Sequence, residues 1–207
     1  MNSTSSIITI GREYGSGGRQ IGQEVAKYFG IKCYDKELLE HAANESGICK
    51  ELFENHDERP TNSFLYSLVM DTYSLGYTNS AYMDMPINHK IFLAQFDTIK
   101  NLADKESCVI IGRCADFILK DNPDVVRLFF YAPKEDCIAR VKTQNGGTEK
   151  EIIRKIEKTD KYRSDYYRYH TGKDWNDSRN YDFCLNTASM SYEKLVAVVK
   201  AYIEQYK

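Results

Sequence analysis

Short apolar segments alternate with longer amphipathic segments along this chain. Five segments are rich in β-branched or aromatic residues and have the length of buried strands. They cover residues 7–10, 31–34, 109–111, 125–131 and 181–186. Buried strands separated by helices are typical of a parallel sheet. The pattern therefore predicts an α/β fold with a central parallel sheet.

Apolar residues at helical spacing occupy most of the chain between and after these strands. The predicted helices cover residues 21–29, 37–45, 91–103, 134–141, 149–169 and 191–206. Residues 50–86 carry aromatic side chains without clean periodicity, and there we expect helices and loops that form a lid over a site. The sequence shows no internal repeat and no low-complexity linker, so we predict a single domain over residues 1–207.

Composition and charge narrow the range of partners. A net charge of -2 gives no general attraction to nucleic acid or anionic membranes, and we expect neither as a partner. No apolar run is long enough to span a bilayer and residues 1–6 show no signal peptide, so we predict a cytoplasmic protein. The six cysteines have no metal-ligand spacing, and we expect buried free thiols at Cys33, Cys108 and Cys184 and no metal held by a protein cluster. The sequence does not decide the oligomeric state.

A glycine-rich turn joins the first predicted strand to the first predicted helix. It reads Gly-Arg-Glu-Tyr-Gly-Ser-Gly-Gly-Arg-Gln over residues 11–20. Such a turn directs backbone N–H groups into a concavity, and the helix N-terminus adds a positive partial charge. We therefore predict a phosphate-binding P-loop; the alternative is a turn that only closes a tight βα connection. The predicted ATP and phosphate contacts are Gly15, Ser16, Gly17, Gly18, Arg19 and Gln20.

The turn departs from the usual P-loop motif, G-x-x-x-x-G-K-[ST]. Gly18 stands where the motif has its lysine, and Gln20 stands at the threonine of related kinases. In a register shifted by one residue, Arg19 takes the lysine's place. We predict Arg19 as a phosphate-contacting cation, although a planar guanidinium is not equivalent to an ammonium group.

Four segments, in order, resemble the cytidylate kinase-like family. They are ITIGREYGSGGRQIGQEVAKYFGIKCYDKELL from residue 8, VIIGRCADFIL over residues 109–119, DKYR over residues 160–163 and YDFCLNT over residues 181–187. The resemblance implies a P-loop NTPase-type three-layer fold, in which helices flank a central parallel sheet and a mobile helical lid covers the site. It also implies an ATP- and Mg²⁺-dependent phosphotransferase that moves the γ-phosphoryl group of ATP to a nucleoside monophosphate or another small acceptor. Residues 46–90 match true cytidylate kinases poorly and are the expected acceptor-binding insert; residues 142–175 are the expected lid.

The resemblance also implies roles for single residues. Arg113 matches the arginine that holds the acceptor phosphate, with a surface arginine as the alternative. Asp35, at a strand end, takes an acceptor or Mg²⁺-network role or simply caps the helix after it. Asp160 and Arg163 match an acceptor-site pair. Asp116 comes two residues later than the family's acid and would accept hydrogen bonds from Arg113 or substrate. The predicted catalytic set is Arg19, Asp35, Arg113 and Arg163.

The long charged helix predicted over residues 149–169 leaves two interpretations open. Its basic residues at positions 150, 154, 158 and 161 share one face, which is either a lid over the phosphates or a solvated surface. The predicted lid residues are Arg140, Arg154 and Lys158.

Because the P-loop lysine is missing, the sequence leaves two functions open. A catalytic kinase is the leading prediction, and a nucleotide-binding sensor that transfers nothing is the alternative. A purely structural interaction protein would have no affinity for nucleotides.

Overall fold

The computed structural model describes residues 7–58 and 87–206, and it confirms the predicted α/β fold. Five parallel strands form one sheet in the order β2–β3–β1–β4–β5. The strands are β1 Ile7–Arg12, β2 Lys32–Tyr34, β3 Cys108–Ile111, β4 Val125–Tyr131 and β5 Phe183–Asn186. The first strand runs two residues further than its apolar pattern indicates, because Gly11 and Arg12 pair with Phe129 and Phe130 of β4.

Helices connect these strands and cover both faces of the sheet. The α-helices of the described residues are α1 Gly18–Phe29, α2 Glu37–Ser46, α3 Lys50–His56, α4 Ile87–Lys105, α5 Ala115–Ile118, α6 Lys134–Asn145, α7 Glu149–Thr171 and α8 Tyr192–Gln205. A 3₁₀ turn at Ser178–Asn180 precedes β5. Within the described ranges no helix is both long and apolar enough to cross a membrane.

The core has two layers because successive residues of β1 point to opposite faces of the sheet. Ile7 packs with Leu38 of α2 and Ile99 of α4. Ile8 lies on the other face and packs with Val25 of α1 and Val199 of α8. All these side chains are buried, and this arrangement confirms the predicted three-layer fold.

The longest helix, α7, begins at a capping box. The Thr148 hydroxyl accepts from the Glu151 backbone N–H, and the Glu151 carboxylate accepts from the Thr148 N–H at 2.9 Å. Ile152 and Ile156 pack against α6, while Tyr166 joins a second cluster further along the helix. The helix therefore packs against the rest of the domain at both ends, and it carries four of the predicted site residues, Arg154, Lys158, Asp160 and Arg163.

The cysteines agree with the prediction only in part. All six cysteines are free, and Cys108 is buried as predicted; Cys33 and Cys184, however, are only half-buried because they lie on the edge strands β2 and β5. Residues 59–86, the tyrosine-rich part of the predicted acceptor insert, lie outside the described residues.

Candidate functional site

The carboxyl ends of three neighbouring strands bring charged side chains together. Arg12 ends β1, Asp35 follows β2, and Arg113 follows β3 after one glycine. These residues line a cleft of ≈ 590 Å³ together with Arg19 and Arg163. Ligands of open parallel sheets bind at this edge, where the strand order changes direction. The fold therefore places the predicted site residues at the position expected for a ligand site.

The glycine-rich loop leaves several backbone donors available. Gly15 and Gly17 have φ values of 83° and 84°, a left-handed conformation that glycine adopts without strain. Within the described residues, the backbone N–H groups of Gly15, Gly17, Arg19 and Gln20 donate to no protein atom. They lie at the N-terminus of α1, where the helix dipole is positive. The loop thus offers the donors that a phosphate group accepts.

Contacts from outside the loop fix its shape. Arg140 of α6 donates through Nη1 to the Gly15 carbonyl at 2.5 Å. Thr187, directly after β5, donates through Oγ1 to the Ser16 carbonyl at 2.6 Å. The Tyr14 N–H donates to the Asp160 carboxylate at 2.7 Å, so this amide is already used. Burial raises the pKa of Asp160 to about 6, against the opposing effect of that hydrogen bond.

Arg113 is a buried arginine and not a surface residue. Its Nε and Nη2 donate to the two carboxylate oxygens of Asp57, each at 2.8 Å. Nη1 donates to the Ile111 carbonyl at 3.2 Å and lies 3.7 Å from Asp35. Its φ of 53° is uncommon for a residue other than glycine. Burial opposes the charge of Arg113, but the neighbouring carboxylates of Asp57 and Glu58 more than offset it and raise the pKa.

Glu58 lies between two further arginines. Its carboxylate accepts from Arg12 at 2.7 and 3.2 Å and from Arg163 Nε at 3.1 Å. Burial alone would raise the pKa of Glu58, but the guanidinium groups of Arg12, Arg163 and Arg113 hold it well below its usual range. Burial and the nearby charge of Arg12 lower the pKa of Arg163. Arg12, Arg113 and Arg163, named here the arginine cluster, therefore surround a pair of carboxylates.

Asp35 connects the loop to the arginine cluster. Its Oδ2 lies 2.7 Å from Arg19 Nε, and its Oδ1 lies near Arg113. The alternative that Asp35 caps α2 is wrong, because Lys36 occupies the N-cap position and no side chain makes a capping bond there. Arg19 turns toward Asp35 at the rim of the cleft, and its side chain is 52% exposed.

Asp116 has a different partner from the expected one. Its carboxylate accepts from the Tyr167 hydroxyl at 2.7 Å, and the described contacts of Arg113 do not include it. The two extra residues before Asp116 place it on α5, facing α7. Burial raises the pKa of Asp116 to about 6, although the bond from Tyr167 opposes the shift. Asp116 thus lies behind the arginine cluster.

The predicted lid residues separate into two groups. Arg140 supports the loop directly, as described above. Lys158 lines a smaller cleft together with Asp57 and Glu58, and its ammonium is 5.6 Å from the Tyr162 ring centroid. Arg154 is exposed one turn before Lys158, so both interpretations of the charged face stay open for it. Arg163 lies 3.8 Å from Asp160, as expected for the predicted pair.

Three residues of this site are missing from the sequence-based prediction. Arg12 comes one glycine after the apolar run 7–10, just as Arg113 comes one glycine after the run 109–111, so the signal that indicated Arg113 was present for Arg12 as well. Asp57 and Glu58 follow α3 in a segment without hydrophobic periodicity, and nothing in the sequence connects them to distant arginines. Within the described residues, no group of three His, Cys, Asp or Glu side chains is arranged to hold a metal ion.

The comparison with protein families agrees with this geometry. The model of the cytidylate kinase-like family matches residues 7–189. The chain belongs to this family. A cytidylate kinase from Pyrococcus horikoshii is 25% identical over 199 residues, which cover 96% of this chain and 88% of that protein. The prediction of a kinase-type phosphotransferase is therefore confirmed.

Solved structures resemble the chain over nearly its whole length. An uncharacterized protein from Eubacterium ventriosum has a TM-score of 0.69 and 29% identity, with 97% of this chain and 99% of that chain covered. Shikimate kinase from Bacteroides thetaiotaomicron has a TM-score of 0.55 and 14% identity, with the same coverage. The latter likeness supports the P-loop kinase fold alone.

Proposed function

We propose that this chain transfers the γ-phosphoryl group of ATP to a nucleoside monophosphate or another small acceptor. One observation carries the proposal: four available loop amides lie in the same cleft as three arginines. Phosphoryl transfer needs two anionic reactants held side by side and cations directed at the charge between them. The partners that this reaction requires are small molecules.

The donor fits on the loop side of the cleft. The amides of Gly15, Gly17, Arg19 and Gln20 would hold the phosphates of ATP. A second opening of ≈ 120 Å³ lies behind the loop, between Arg140 and the segment 187–192. Its position next to the loop supports a place for the donor base there, with the Arg140 guanidinium beside the ring.

The acceptor phosphate fits on the arginine cluster. Arg113 already holds the carboxylate of Asp57 through two parallel hydrogen bonds, which is the geometry that guanidinium groups also use for phosphate. A phosphate monoester would replace the Asp57 carboxylate on Arg113 and the Glu58 carboxylate on Arg163. Both acids lie in the predicted insert 46–90, which supports an acceptor role for that region.

Magnesium would be held mainly by the nucleotide. Asp35 and Gln20 line the cleft and are the side chains whose oxygens would reach the ion. One or two protein oxygens are sufficient because Mg²⁺ keeps phosphate oxygens and water as its other ligands. When bound, the ion neutralises charge on the β- and γ-phosphates.

The proposal is tested with purified protein, MgATP and a panel of nucleoside monophosphates, with ADP formation as the readout. We expect turnover with one class of acceptor and a loss of kcat/KM of about 100-fold or more in Arg113→Ala. ATP affinity should change far less in that variant, because Arg113 lies on the acceptor side. Arg179→Gln is the matched control, since Arg179 is exposed and pairs only with Asp177 among the described residues.

A nucleotide sensor is the second candidate function. The glycine at position 18 and the carboxylates that already neutralise the arginine cluster favour it. ATP binding without ADP formation for any acceptor would support the sensor and contradict the kinase.

A further inference from the structure

We propose that Arg12 supplies the positive charge that the P-loop lysine ordinarily supplies, and that its guanidinium contacts the transferred phosphoryl group. The inference rests on the proposed phosphoryl transfer and assigns a further catalytic residue to it. In the ungapped register, Arg12 stands at the position of the first glycine of the G-x-x-x-x-G-K motif, and Gly18 stands at the position of the lysine. The two positions have thus exchanged a glycine and a cation.

The space around Gly18 explains why both changes occur together. A Cβ atom at position 18 would lie 2.9 Å from the Arg12 Cβ and 3.0 Å from the Phe130 Cβ. Both neighbours are Cβ atoms next to the backbone, so neither can rotate away. With Arg12 in place, a side chain at position 18 therefore requires the end of β1 or the start of α1 to shift. Removing the side chain at position 12 relieves the closer of the two contacts and leaves the one with Phe130.

A second glycine makes room for the Arg12 guanidinium. Gly112, directly after β3, has a φ of 77°, and a Cβ there would lie 2.1 Å from Arg12 Nη1. The guanidinium therefore extends from the end of β1 across the end of β3. Arg12 thereby lines the same cleft as the loop glycines and Arg113. A phosphoryl group that passes from donor to acceptor would cross the same region.

Arg12 fits this role better than Arg19 because of its surroundings. Arg12 is buried, with 8% of its surface exposed, whereas the Arg19 side chain is half exposed at the rim. A charge stabilises a transition state most strongly where water is excluded. Arg12 also binds an anion already, since its Nη1 and Nη2 each donate a hydrogen bond to the Glu58 carboxylate. A phosphoryl oxygen would take the place of that carboxylate.

The test uses four variants: Arg12→Gln, Arg12→Gly, Gly18→Lys, and the double variant Arg12→Gly/Gly18→Lys. Arg12→Gln should lower kcat by about 100-fold or more, and Arg12→Gly should do the same. The double variant restores the usual motif, and its kcat should be at least about tenfold higher than the kcat of Arg12→Gly. Gly18→Lys alone should lower the melting temperature more in the unmodified chain than in the Arg12→Gly background, because the former has both close approaches and the latter keeps only the 3.0 Å approach to Phe130.

Two readouts separate a catalytic role from a structural one. Glu58→Gln removes the negative charge that Arg12 now pairs with. If the only role of Arg12 is to hold Glu58, this variant will lose as much activity as Arg12→Gln, and the inference is overturned. Equilibrium binding of inorganic tripolyphosphate is the readout that does not need turnover. Arg12→Gln should weaken it by about tenfold or more.

The two proposals fail in different ways. Absence of turnover in the unmodified chain contradicts the proposed function, and the tripolyphosphate affinities then still decide on Arg12. Unchanged kcat and unchanged tripolyphosphate affinity in Arg12→Gln overturn the role of Arg12 even if the unmodified chain is an active kinase. Where the double variant does not fold, Arg12→Lys replaces it and should keep more activity than Arg12→Gln.

Discussion

The surroundings of each residue decide whether its side chain points into the cleft. Arg113 and Asp35 both follow strands, and the contacts of each lie within the cleft. Asp116 also lies near the strand ends, but it turns away from the arginine cluster toward Tyr167. Position after a strand therefore indicates a site residue, and only the packing around it decides which way the side chain points.

Asp116 gives a prediction about stability and pH. Burial raises its pKa to about 6, so the folded chain binds this proton more tightly than the unfolded chain does. The resulting stabilisation is complete below about pH 4 and is lost as the pH rises through about 6. Asp116→Asn cannot ionise, so its free energy of unfolding relative to the unmodified chain should increase between pH 4.5 and 7.5. The increase between these two pH values is about 2 kcal/mol.

Urea denaturation at the two pH values measures this difference. Asp177→Asn is the control, because Asp177 is an acid paired with exposed Arg179 and its pKa is lowered to about 2. Its relative stability should not change between pH 4.5 and 7.5. A pH-independent difference for Asp116→Asn would show that the Asp116 carboxyl is not a buried proton-binding group.

At the scale of elements, the segment after α3 brings negative charge to the arginine cluster. Asp57 and Glu58 neutralise arginines that come from β1, from the turn after β3 and from α7. A phosphate ligand must displace these carboxylates, and the displacement weakens its binding. The segment and an anionic ligand therefore compete for the same three arginines.

The double variant Asp57→Asn/Glu58→Gln tests this competition. It removes both charges while keeping the shape of the side chains, so phosphate and tripolyphosphate should bind at least about tenfold more tightly. Isothermal titration calorimetry measures the affinities, and Asp177→Asn serves as the matched acidic control outside the site. Equal or weaker binding in the double variant would show that the two acids support the anion site instead of competing for it.

At the scale of the whole molecule, the sequence predicts the architecture well and the site in part. Strands such as β1 and β4 are mostly apolar because both faces of the sheet are covered, and that pattern can be read from the sequence around each strand. The loop glycines also form a local pattern, so the sequence shows them directly. The pairing of Arg12 with Glu58 is not, because it joins residues 46 positions apart through a segment without periodicity.

The arginine at position 12 and the glycine at position 18 show again that the sequence does not reveal contacts made by folding. The sequence shows a missing lysine and offers Arg19, the adjacent cation, as its replacement. The distance between a Cβ at Gly18 and the Arg12 Cβ is a property of the folded chain, since it depends on how the end of β1 packs against the start of α1. Only the packed structure identifies Arg12 as the alternative cation.

The central claim is that the loop amides and the arginine cluster form one polyphosphate site. The most direct measurement is a titration of the ¹⁵N-labelled chain with MgATP, followed by the backbone amide resonances. Saturable shifts at Gly15, Gly17, Arg19 and Gln20 are predicted, with a smaller shift at Tyr14, whose N–H is already bound by Asp160. Resonances of these five amides that stay unchanged at saturating nucleotide would contradict the account.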